Sequence, residues 1–157
     1  MNKQEKFMKE AVKAAIHGMN NNHGGPFGCV VVKDDQIIGV GFNKVTSTND
    51  PTAHAEILAI RAACQHLNSF QLEGCVIYTS CEPCPMCLGA IYWARPDRVY
   101  YGCTHLDAAK IGFDDEFIYK EIALPLSDRS ISFKQVGHKM ALESFQKWSD
   151  KDDKIEY

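Results

Sequence analysis

CVIYTSCEPCPMCLGAIYWARPDRVYYGC, residues 75–103, carries the decision about fold. Its first six residues are apolar, β-branched and aromatic, the composition of a short buried strand. CPMCLGAIYWA at 84–94 then reads as a helix. Pro83 opens it, and it stops before Pro96, because a residue that precedes proline is driven out of helical conformation. RVYYGC at 98–103 reads as the next strand. Strand, helix and strand in succession make a crossover unit, which sets two strands parallel and lays the helix on one face of a sheet.

Outward from this unit the alternation continues. CVVVK at 29–33 and QIIGVGFN at 36–43 flank Asp34-Asp35 and predict a β-hairpin. The polar loop KVTSTNDP leads into AHAEILAIRAACQHL at 53–67, where Ile57, Ile60, Cys64 and Leu67 mark a helix. Asp50 is the expected N-cap of that helix, with Pro51 in its first turn. Near the N-terminus Phe7, Met8, Ala11, Val12, Ala15, Ile16 and Met19 recur at helical spacing until NNNHGGPFG breaks the pattern. HLDAAK, DDEFIYKEI and ALESFQKWSD predict three further short helices, and KDDKIEY reads as a tail. The sum is a single α/β layered domain over residues 1–157 with at least one parallel strand pair.

The chain has 157 residues, 45% of them apolar and 24% charged, enough to bury a core without staples. MNKQEKFMKE holds no apolar stretch of a secretory signal, and no run approaches the ~18 apolar residues of a membrane span. A soluble cytoplasmic protein with no membrane partner is the expectation. Seven cysteines without an export signal point to metal binding or buried thiols rather than disulfides. Seventeen basic against twenty acidic residues leave a net charge of −3. That balance disfavours a nucleic-acid partner, and Lys3, Lys6, Lys9 and Lys13, interleaved with acids, read as a solvated helix face.

The chemistry lies in Cys81, Cys84 and Cys87 together with His54-Ala55-Glu56. Glu82, held extended before Pro83, leaves Cys81 outside the helix, whereas Cys84 and Cys87 share a face at its first turn. A helix N-terminus favours thiolate over thiol, which suits a metal. His54, Cys84 and Cys87 make three protein ligands, and a catalytic zinc keeps its fourth position for water. Glu56 then serves as a proton carrier. The alternative is a closed structural site of Cys81, Cys84, Cys87 and His54, a non-enzymatic zinc module in which Glu56 is a solvated helix residue. HAE at one helix start and PCxxC at another, about thirty residues on, match the zinc-deaminase signature and favour the catalytic reading.

On these residues the chain resembles the cytidine/deoxycytidylate deaminase superfamily. Within it, GGPFG at 24–28, NDPTAHAE at 49–56, YTSCEPCPMCLGAIYWARP at 78–96, KIGFDDEFIYKEI at 110–122 and the terminal EY look like the small bacterial guanine deaminases. The resemblance implies a three-layer α/β/α sandwich around a five-stranded mixed sheet, with one zinc per subunit. It makes His54, Cys84 and Cys87 the zinc ligands and Glu56 the shuttle for hydrolysis of guanine to xanthine and ammonia. It further implies that Asn43 meets the ring edge, that Phe27 stacks on the purine, and that His54 and Ala55 line the substrate. Asp115 would assist the leaving amine. A homodimer would swap a C-terminal segment of about residues 130–157, which would place Tyr157, and Trp93 as well, near a neighbour's pocket. Within the superfamily the substrate could instead be guanosine, cytosine or cytidine, an aminotriazine, or adenosine in transfer RNA. Lys110 departs from the small or acidic residue expected before GFDD.

Each of these side chains also has an ordinary reading. Asn43 favours turns, Phe27 and Trp93 are core types, Asp114 or Asp115 caps a helix near Glu116, and Tyr157 lies on a polar tail. His17, His23, His66, His105 and His138 show no pattern that assigns a role. Cys29, Cys64, Cys75 and Cys103 fall in apolar runs and read as buried thiols.

Overall fold

Strand β1 (Gly28–Lys33) is buried along nearly its whole length, which requires cover on both faces. Alternation supplies it. Cys29 and Val31 point into one core with Leu72, Cys75 and Ile77, while Val30 and Val32 point into another with Phe7, Ala11 and Tyr78. The computed structural model describes residues 1–157 and is made of two compact units, residues 1–116 and 117–157.

In the first unit, β1 pairs antiparallel with β2 (Gln36–Phe42) and with β3 (Cys75–Cys81), and β3 pairs parallel with β4 (Arg98–Cys103), in the order β2-β1-β3-β4. Asp34 and Asp35 both take positive φ, 48° and 64°, which closes the expected hairpin with a turn whose twist matches its strands. Helix α1 (Lys3–Asn20) covers one face, started by Asn2 and Glu5 in a reciprocal capping box. Past a short α2 (Val45–Thr48), α3 (Ala55–Leu67) lies on the other face beside α4 (Pro85–Ala94). The three layers and the mixed sheet are as expected, but the sheet has four strands, not five. After β4 the chain enters a helix. Thr104 and Asp107 cap each other at the start of α5 (His105–Lys110), and no later residue joins the ladder.

Close approach sets the helix positions. A Cβ on Gly41 would lie 2.1 Å from the Ala55 carbonyl and one on Gly28 2.1 Å from the Ala11 carbonyl. Glycine facing Ala55 and Ala59, and again facing Ala11 and Ala15, is what lets α3 and α1 lie against the hairpin.

Two helix starts differ from expectation. Asp50 does not cap α3; its carboxylate folds back to the Thr52 backbone N–H and hydroxyl, at 2.8 and 2.7 Å. His54 is the N-cap residue. Pro83 does not open α4, which begins at Pro85 with Cys84 at the N-cap, and it ends at Arg95 in left-handed conformation just before Pro96. Cys29 and Cys75 are buried and Cys64 is half-buried, but Cys103 is exposed because it ends the edge strand β4.

The second unit holds most of α6 (Glu116–Ala123), a tight turn at Leu126–Asp128 and α7 (His138–Ser149). Arg129 closes its first half by donating from Nε to the Leu124 carbonyl and from Nη2 to the Ile122 carbonyl, at 3.3 and 3.2 Å. None of its side chains is buried, including Phe145 at 72% exposure and Val136 at 87%. No helix of the chain is long and apolar enough to cross a membrane.

Candidate metal centre and active site

Two helix N-termini converge over the ends of β1 and β3. α3 delivers His54 at its N-cap and Glu56 in its first turn, while α4 delivers Cys84 at its N-cap and Cys87 three residues on. His54 Nδ1 lies 3.5 Å from both Cys84 Sγ and Cys87 Sγ, and the three donor atoms fall within 4.8 Å of one another. Two sulfurs and an imidazole nitrogen in one cluster, without a carboxylate among them, form a donor set suited to zinc. Burial of all or part of each side chain further limits competition from solvent. Cys84 is held down to about 4 by its contacts, first with Cys87 and then with His54. The proton stays on Cys87, whose thiol is pushed up by Cys84 and by burial. A cation bound here would displace the Cys87 proton and complete a pair of thiolates.

Cys81 stands apart. It is buried, and its thiol donates to the Thr104 carbonyl at 3.6 Å rather than joining the cluster. Burial raises it to about 11, a poor thiolate. The closed four-ligand alternative therefore has no support in the geometry.

Glu56 is only 6% exposed. The Cys87 thiol donates to one of its oxygens at 3.4 Å, and the Thr79 hydroxyl donates to the other at 3.3 Å. Burial raises its carboxyl above the ordinary range, which favours the protonated form. Thr79 was not legible as a site residue, since it sits inside an apolar strand. Its only signal is a hydroxyl on the strand face that meets the start of α3.

Asn43 and Phe27 are brought together by the open end of the hairpin, where the Asn43 N–H donates to the Phe27 carbonyl at 3.0 Å. The Asn43 side chain is buried at 6% exposure, and its Oδ1 accepts from Gly25 N–H at 3.2 Å and Val45 N–H at 3.1 Å. That engagement fixes the orientation of the side-chain amide. Phe27 packs edge-on against Phe113, with ring centroids 4.9 Å apart at 89°. Phe113 precedes Asp114-Asp115. Asp114 accepts the Glu116 N–H at 3.0 Å, the capping role foreseen for one of the two aspartates. Asp115 is half-buried, and its carboxyl is raised by burial and then by the negative charge at Cys84. Ala55 is fully buried. Trp93 is 63% exposed on the face of α4 opposite the buried Cys87, Ile91 and Ala94, so it does not enter the site of its own chain. Tyr157, 69% exposed, belongs to the second unit.

Two residues given no role form a close pair. Glu82 Oε2 lies 2.7 Å from His105 Nδ1 and also accepts the His105 backbone N–H at 3.0 Å. The contact lowers the Glu82 carboxyl and raises the His105 imidazole.

Residues 1–103 match the cytidine and deoxycytidylate deaminase zinc-binding region. The guanine deaminase of Bacillus subtilis (strain 168) is 58% identical over 153 residues, 98% of each chain. The crystal structure of guanine deaminase from Bacillus subtilis superimposes with a TM-score of 0.96 at 57% identity, covering 100% of this chain and 99% of the other. A tRNA-specific adenosine deaminase of Buchnera aphidicola subsp. Schizaphis graminum is 35% identical over 134 residues, 85% of each chain. The donor cluster, the carboxylate beside it and these likenesses agree: the chain belongs to the cytidine and deoxycytidylate deaminase family of zinc-binding deaminases.

Proposed function

We propose that the chain hydrolyses guanine to xanthine and ammonia. One observation carries the reading. The buried Glu56 carboxyl sits 3.4 Å from Cys87 Sγ, one of three convergent zinc donors, so that a metal and a proton carrier share one pocket. Likeness to the Bacillus subtilis guanine deaminase, at 58% identity, supports guanine as the substrate.

His54, Cys84 and Cys87 would hold zinc, which would supply Lewis-acid activation of a water molecule. The chain's residues do the rest. The Asn43 NH2 group donates to the ring edge, and Phe27, buttressed by Phe113, lies against the purine face. Glu56 accepts a proton from the attacking water and delivers it to ring N3 as oxygen bonds to C2. Backbone N–H groups at the starts of α3 and α4, near Ala55 and Cys84, stabilise the negative charge that develops there. A second proton, moved by Glu56 with Asp115 assisting, reaches the exocyclic amine, the C2–N bond breaks, and ammonia leaves. One guanine and one water become one xanthine and one ammonia, with no organic cofactor.

The second unit enters the reading as a dimer element. Its helices carry Met140, Leu142, Phe145 and Trp148, and none of them is buried. Such a segment needs cover from another surface. Exchange of about residues 130–157 between two chains would provide it and would carry Tyr157 to the partner. Adenosine in transfer RNA is the competing substrate, given the likeness to the Buchnera enzyme, but a net charge of −3 gives a polyanion little to hold.

The test is ammonia release from guanine, guanosine, cytosine, cytidine, adenine, an aminotriazine and transfer RNA by zinc-loaded protein. Guanine should give the highest kcat/KM by at least about tenfold. Turnover of transfer RNA with none of guanine would overturn the assignment.

A further inference from the structure

We propose that Glu82 is a positioning residue: its carboxylate pins the start of α5 to the metal-binding loop and thereby holds Phe113 and Asp115 at the site. The inference rests on the proposed role of Asp115 in proton delivery.

α5 has six residues, too few to persist by helix propensity. Its Thr104–Asp107 box satisfies its own first turn, and Ala108 is its one buried residue, so neither device ties it strongly to the sheet. Glu82 does. Its own N–H donates to the Cys103 carbonyl at 2.8 Å, and its Oε2 accepts from the His105 backbone N–H at 3.0 Å and meets the ring at 2.7 Å. One residue, set between Cys81 and Pro83, thus grips the end of β4 by its backbone and the head of α5 by its side chain.

The link from α5 to the site is short and defined. The Phe113 N–H donates to the Ala108 carbonyl at 3.1 Å across Gly112, whose φ is +93°. The Phe113 ring then meets Phe27, and Asp115 comes two residues later. A shift at the head of α5 would therefore move both. An exposed carboxylate–histidine pair is ordinarily worth little. This one differs because its oxygen also takes a backbone N–H, and because it stands one residue from Pro83 and two from Cys84.

The test uses the full-length zinc-loaded chain with Glu82→Ala, Glu82→Gln, Asp115→Asn and the double variant Glu82→Ala/Asp115→Asn. Two readouts are taken, amide hydrogen exchange over residues 105–116 and guanine kinetics. Glu82→Ala should speed exchange in that segment by at least about tenfold, leaving α1 and β1 unchanged and zinc at one per chain. It should also lower kcat about tenfold, as misplacement of a reacting group does. Glu82→Gln keeps an acceptor oxygen for His105 and should restore most of the protection and of kcat. In the Asp115→Asn background, Glu82→Ala should cost less than about threefold, because both changes act through one group. Unchanged exchange in Glu82→Ala, or a double variant in which the two losses multiply fully, would overturn the inference. Should Glu82→Ala fail to fold, His105→Gln, which removes the imidazole contact and keeps the backbone one, should raise exchange in the same segment to a lesser degree; no increase overturns it. Absence of guanine turnover in the unsubstituted chain counts against the proposed function instead, and the exchange readout then decides the tether alone.

Discussion

Glu56 is useful because two hydroxyl- and thiol-bearing neighbours hold it in a place where water does not. Its replacement by Gln preserves shape and hydrogen bonds but cannot carry a proton. Zinc should remain at one per chain while kcat falls at least about a hundredfold, checked by metal analysis beside steady-state kinetics. The raised carboxyl also has a consequence for the zinc-free protein. Because the folded state holds this proton more tightly than the unfolded one, Glu56 costs nothing in acid. Its penalty grows as pH rises from the unfolded value through the folded one. Zinc-free Glu56→Gln should therefore match the unsubstituted chain in acid in urea unfolding and exceed it increasingly as pH rises above the ordinary carboxylate range. Thr79→Val removes the hydroxyl that touches Glu56 Oε1 and the Cys81 carbonyl, and kcat should fall about fivefold to tenfold with zinc retained. Cys84→Ala should lose zinc, whereas Cys81→Ala should keep it. That His54, Cys84, Cys87 and Glu56 would lie together was legible because their spacing places them on two helix starts. Thr79, Glu82 and His105 were not, because each acts through a contact that links distant parts of the chain and leaves no local period.

At the scale of elements, the site depends on how closely α3 lies on the hairpin. A Cβ on Gly41 would lie 2.1 Å from the Ala55 carbonyl oxygen and 2.5 Å from the Ala59 nitrogen, closer than any side-chain carbon tolerates. Gly41→Ala should push away the helix start that bears His54 and Glu56. Stability should drop by about 2 kcal/mol in urea unfolding and zinc should bind more weakly. The elements themselves were readable, since β1, β3 and α4 carry strong apolar patterns and the Asp34-Asp35 hairpin is a two-residue turn. The starts of α3 and α4 were displaced by local chemistry that propensity does not weigh. Asp50 found a nearer partner in Thr52, and proline at the first helical position moved from Pro83 to Pro85. The fifth strand was an expectation from resemblance alone, and the capping box of α5 shows why the chain turns to helix after β4.

For the whole molecule, the open matter is the cover of residues 117–157. This segment exposes Phe117, Phe133, Phe145, Trp148 and Ile131, and the proposed exchanged dimer would cover them. Deletion of 151–157 should cut guanine turnover sharply. Mixing Glu56→Gln chains with chains lacking 151–157 should recover part of the activity, since one pocket of the mixed dimer then has every residue it needs. A fully active truncated monomer in sedimentation would end that account. The layered α/β fold and the donor cluster are formed within one chain and were therefore legible from it, whereas the proposed roles of Tyr157 and Trp93 call on a partner that one chain does not contain. The most direct test of the central claim is ammonia release from guanine by chelator-stripped protein titrated with zinc. Activity should be absent in the stripped chain and return linearly to a plateau at one zinc per chain. Full activity without metal, or a chain that binds one zinc and releases no ammonia from guanine, would contradict it.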